Sequence, residues 1–74
     1  MTIQQIIFKE SKLPNKRRFS KEIRRSESYT ANMLNAEKSV SIELAIDMME
    51  RLYFEKEVKT NIVYDYLKNE FGVY

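Results

Sequence analysis

Apolar residues recur along the chain at helical spacing, and short polar breaks separate the runs. Ile3, Ile6 and Ile7 share one face of a helix over about residues 2–12. That helix ends where Ser11 leads into Leu13 and Pro14, since proline lacks the N–H that would continue it. A helix so short depends on tertiary packing. Asn15 is a good N-cap for a second helix over about 15–24, which turns Phe19 and Ile23 inward at i and i+4 and leaves Lys16, Arg17, Arg18 and Lys21 outside. Ser26 caps a third over about 26–35, with Thr30, Met33 and Leu34 as its inner side and Glu27 in the first turn, where the helix dipole favours an anion. Ser39 or Ser41 opens a fourth, in which Ile42, Ala45 or Ile46, Met49, and Leu52 or Tyr53 keep the i, i+3/i+4, i+7 rule most regularly. The last, over about 56–70, places Val58, Ile62 or Val63, and Tyr66 or Leu67 inward and closes at Phe71 and Gly72.

A single glycine and a single proline leave few turns of the kind that hairpins need. The sequence therefore predicts an all-α protein, a compact five-helix bundle in one domain over residues 1–74, with no internal repeat and no low-complexity tract.

Composition narrows the chemistry. With 43% hydrophobic and 32% charged residues the chain lies in the globular range and should fold. It has no cysteine and no histidine, so disulfides, thiol nucleophiles, imidazole bases and the usual zinc ligands are excluded together. Glu43, Asp47, Glu50 and Asp65 are spaced as solvated helix faces are spaced, and no glycine-rich phosphate loop accompanies them. No enzyme, metal site or cofactor is expected. Met33, Met48 and Met49 are expected in the core or at a subunit contact, and the five tyrosines are expected mostly as helix-packing residues with wet hydroxyls. The apolar runs are too short for a membrane span or a secretory signal, so a cytoplasmic protein without membrane contact is predicted.

Charge changes the picture through its distribution. The net charge is only +2, but residues 1–25 hold eight basic and two acidic groups, net +6, whereas residues 26–74 hold five basic and nine acidic groups, net −4. Such asymmetry points to a polyanion on one side of the molecule.

Phe19, Ser20 and Ile23 match the pattern Leu-Ala-x-x-Leu, Ser26 a serine that starts the next helix, and Met33 a buried isoleucine within it. Asn35 matches the asparagine of a Glu-Asn-Gly turn, Lys38 a basic loop, and Ser41, Ile42, Glu43, Ile46 and Leu52 the helix Pro-Ser-Leu-Glu-x-x-Leu. With these spacings residues 15–52 resemble, without a gap, the helix-turn-helix of the phage repressor and Cro-type (XRE-like) family, over about half the chain. Arg24 and Ala36 stand where that family has glycine, and a positive φ at either would cost on the order of 1 kcal/mol. Lys16 replaces a frequent glutamine.

The resemblance implies a sequence-specific regulator of transcription, a repressor that binds double-stranded DNA, with the helix after Ser26 in the major groove and the preceding helix across the backbone. Glu27, Ser28, Tyr29 and Asn32 would then read bases, beside Ala31: Asn32 bridging adenine, Ser28 donating or accepting, Tyr29 meeting a thymine methyl or phosphate, Glu27 accepting from cytosine. None of these is basic, so affinity would come from phosphate contacts at Lys16, Arg17, Arg18, Lys21, Arg24, Arg25 and Lys38. A homodimer on a pseudo-palindromic operator would use the final helix, whose Tyr64, Tyr66, Leu67 and Phe71 exceed what so small a core needs. The alternative is a protein-interaction module on the same helices, an antitoxin, inhibitor or anti-defence factor whose uncharged third helix and acidic second half face a protein partner.

Overall fold

The computed structural model describes residues 1–72, the side chain of Phe71 excepted. Its helices are α1 (Ile3–Ser11), α2 (Lys16–Ile23), α3 (Glu27–Asn35), α4 (Ile42–Arg51) and α5 (Lys56–Phe71), and no strand occurs among the described residues. The protein is thus an all-helical, five-helix globule with extents of 35 × 26 × 19 Å.

Four helices start on a side chain that satisfies an otherwise orphaned amide. Asn15 Oδ1 accepts from the Arg18 N–H at 2.9 Å and Ser26 Oγ from Tyr29 at 3.0 Å, at the caps expected for α2 and α3. Of the two serines before α4, Ser41 is the cap, accepting from Leu44 at 3.2 Å, while the Ser39 hydroxyl accepts instead from the Ile3 N–H at 3.1 Å. Thr2 forms a reciprocal capping box with Gln5 at the start of α1. Glu55 precedes α5 and makes no side-chain cap bond.

The core gathers Ile3 and Ile7 of α1, Phe19 and Ile23 of α2, Met33 and Leu34 of α3, Ala45, Met48 and Met49 of α4, and Ile62 of α5. Phe8 meets Phe19 edge to face, ring centroids 5.0 Å apart. α1 packs on α3, α4 and α5, α2 packs on α3 and α4, and α5 packs on α1 and α4. Several alternatives are thereby settled. Ala45, not Ile46, fills the core, and Ile62, not Val63, is the buried residue of α5. Leu52 is half-buried, whereas Tyr53 stands 89% exposed, so it is not the packing tyrosine that its helical register suggested. The cause is backbone: α4 stops at Arg51, and Tyr53 turns to φ 59°, out of the helical stripe.

Polar groups inside the fold are paired. Gln4 is fully buried, a residue that its isoleucine neighbours would suggest is solvated. Its amide donates to the carbonyls of Met33 at 3.0 Å and Lys38 at 2.9 Å, and its Oε1 accepts from the Val40 N–H at 3.0 Å. Gln5 donates to the Leu34 carbonyl at 2.9 Å. The start of α1 therefore holds the end of α3 and the loop beyond it, where helical hydrogen bonds run out.

Candidate nucleic-acid interface

α2 and α3 are joined by a turn of three residues, and its geometry follows from hydrogen bonds that close α2. The Arg24 N–H donates to the Lys21 and Ser20 carbonyls and the Arg25 N–H to Ser20 at 3.0 Å, with Arg24 left-handed at φ 58°, ψ 46°. The cost expected at Arg24 is therefore present. At Ala36 it is absent, because this residue is extended at φ −65°, ψ 145° and needs no glycine.

Ser20 and Thr30 let the two helices approach. Both are buried, and their hydroxyls donate to backbone carbonyls, Ser20 to Arg17 at 2.7 Å and Thr30 to Ser26 at 2.9 Å, which leaves no unpaired donor between them. With Thr30, Met33 and Leu34 turned inward, Glu27, Ser28, Tyr29 and Asn32 are exposed and Ala31 is half-buried. Helical spacing puts Ser28, Asn32 and also Asn35 on one outward ridge. Asn35 was matched in the sequence to a turn position and not named as a base reader; its position seven residues after Ser28 was the available signal.

The four expected base readers differ in their surroundings. Glu27 Oε1 lies 3.5 Å from Arg17 Nε, and Tyr29 lies beneath the Arg25 guanidinium, 5.6 Å from ring centroid to Cζ. Ser28 and Asn32 have no side-chain partner among the described residues. Arg17 and Arg25 thus flank the ridge from both sides. The Arg17 pair is largely exposed, so it contributes little to stability and yields readily to a stronger anion.

Lys16, Arg17, Arg18, Lys21, Arg24, Arg25 and Lys38 are all exposed. Arg18 pairs with Glu22 at 3.6 Å on its own helix. Lys21 and Arg24 border a cleft with Arg51 and Tyr53 of the α4–α5 corner. Lys38 projects from the α3–α4 loop that Gln4 anchors through the Lys38 carbonyl.

Away from α2 and α3 in its lining, a further apolar groove of about 400 Å³ is formed by Ile46 of α4 and Lys59, Thr60, Val63, Tyr64 and Leu67 of α5. Ile46, Tyr64 and Leu67 are 38%, 51% and 37% exposed. Tyr66 is half-buried and packs against the core, so it is not available to the groove, and the side chain of Phe71 lies outside the described residues.

Among the described residues, no group of three or more His, Cys, Asp or Glu could hold a metal ion, and no helix is long and apolar enough to cross a membrane. Comparison with family models, with curated proteins and with solved structures returned no match.

Proposed function

We propose that the protein is a sequence-specific DNA-binding regulator of transcription, a repressor of the phage-repressor helix-turn-helix type. The observation that carries this reading is the exposed polar ridge Ser28–Asn32 on α3, flanked by Arg17 at Glu27 and by Arg25 over Tyr29. A ridge of hydrogen-bonding side chains without charge suits base edges, and cations on both sides suit the two phosphate backbones that border a major groove. In this reading Ser28 and Asn32 discriminate bases, and Glu27 and Tyr29 act in concert with the arginines that hold them. The partly apolar groove at Tyr64 and Leu67, completed by Ile46, supports a homodimer that presents two α3 helices to half-sites about 34 Å apart. Neither an enzyme activity nor a cofactor is part of the proposal.

The test is fluorescence anisotropy on duplexes selected from a random pool, read across a salt series. Binding should weaken with a log–log slope of about −0.9 per phosphate neutralised and persist against competitor DNA. Replacing Arg17 and Arg18 by alanine should weaken all sequences alike, while Asn32→Ala should change preference at one base pair by roughly 1–3 kcal/mol. Equal effects of both changes on specificity, or no selected sequence at all, would sink the reading. In the latter case the ridge is a protein-contact surface.

A further inference from the structure

Among the described residues, three that are not glycine hold a left-handed backbone: Lys12 (φ 59°), Arg24 (φ 58°) and Tyr53 (φ 59°). Glycine would be easier at each, and for a bulky aromatic such as Tyr53 the conformation is unusual. Arg24 and Tyr53 come from different turns, yet both line one cleft of about 390 Å³, together with Lys21, Glu22 and Arg51. Packing does not explain Tyr53, whose side chain is 89% exposed. The two strained turns thus keep side chains in the wall of a shared cleft where glycine would leave none.

Three of the five residues of that wall are cations. Of the carboxylates beside them, Glu22 faces a residue outside the wall, its Oε1 3.6 Å from Arg18 Nε, whereas Asp47 Oδ2 accepts from the cleft's own Arg51 Nε at 3.0 Å. The latter bond orients the Arg51 guanidinium through Nε alone and leaves its terminal nitrogens to form the fork that matches oxyanions. A volume of about 390 Å³ falls among those of small-ligand sites.

We propose that this cleft binds a phosphoryl group, with Lys21, Arg24 and Arg51 as its charge partners and the Tyr53 hydroxyl as a further donor. The phosphoryl oxygens come either from a nucleic-acid backbone running past the α4–α5 corner or from a free phosphorylated small molecule. Lys21 and Arg24 are also phosphate contacts in the DNA-binding reading, whereas Arg51 and Tyr53 play no part in it, so variants at Arg51 and Tyr53 test the cleft separately from that reading.

Titration of the full chain with inorganic pyrophosphate, followed by amide chemical shifts, and with a 20-base-pair duplex, followed by anisotropy, tests this on wild type, Arg51→Gln and Tyr53→Gly. Both variants should remain folded, since glycine is favoured at φ 59° and the Arg51–Asp47 pair is half-exposed; a thermal melt checks this. Saturable shifts at Lys21, Arg24 and Arg51 are expected, with affinity for pyrophosphate falling about tenfold in Arg51→Gln and about threefold in Tyr53→Gly. If Arg51→Gln also weakens every duplex alike and lowers the salt slope by about 0.9, the backbone is the source of the phosphoryl group. If pyrophosphate binding is lost and duplex binding is unchanged, or absent even in wild type, the ligand is a free phosphorylated molecule. Wild-type behaviour of Arg51→Gln toward both probes, or shifts no larger at the cleft than at Lys9 and Lys12, would overturn the proposal.

Discussion

The α2–α3 pair and α5 are built on opposite terms. α2 and α3 together are about as long as α5 alone, yet they bury Phe19, Ser20, Ile23, Thr30, Met33 and Leu34, and each starts on a side-chain cap. α5 has no side-chain cap, has Ile62 alone as a buried residue among those described, and leaves Tyr64 and Leu67 half in solvent. The difference shows where this chain spends its apolar residues: on fixing the relation of two short helices whose outer faces remain polar. α5 closes the core against α1 and α4 and retains apolar surface that a single copy does not use.

The contrast is sharpest in the core. Phe19→Ala should cost about 3–5 kcal/mol, because a fully buried ring in contact with Phe8 leaves a cavity that short helices cannot close. Leu67→Ala, at an exposed edge, should cost less than about 1 kcal/mol in dilute solution while shifting any self-association measured by sedimentation. Urea melts of the two variants giving equal losses would contradict the difference between the regions.

Gln4→Leu comes next. It keeps the volume and strands the Lys38 carbonyl and the Val40 N–H, leaving the Met33 carbonyl with only the Ala36 N–H, with an expected loss of about 2–4 kcal/mol. Hydrogen exchange should then quicken at residues 36–40 before it quickens in α2. Uniform exchange throughout the chain would show that α1 does not hold this loop in particular.

The smallest effect concerns the caps. Ser26→Ala should cost about 1 kcal/mol and lower the melting temperature by roughly 4–8 °C, whereas Glu55→Ala removes no cap bond and should leave it nearly unchanged. Comparable shifts in both would mean that α5 starts on an interaction other than a cap.

Much of the fold was legible because it is local. Asn15 and Ser26 cap the helices expected of them, and the inner sides of α2 and α3 are those that helical spacing chose. The exposure of Ser28 and Asn32 follows from the same periodicity. Gln4 was not legible: a glutamine beside isoleucines looks like surface until the carbonyls it serves, some 29 and 34 residues away, are placed. Arg51 and Tyr53 were likewise unmarked as neighbours of Lys21 and Arg24, since nothing in their spacing brings the two turns together.

The chain alone determined the five helices, the caps at Asn15 and Ser26 and the polar outer face of α3, because capping and periodicity act within a few residues along the backbone. Only the tertiary structure decided that Ala45 rather than Ile46 enters the core, that Gln4 ties α1 to the loop after α3, and that two left-handed turns meet in one cationic cleft. These outcomes depend on contacts between residues far apart in sequence, where packing and the need to satisfy buried polar groups select among options that local preference leaves equal.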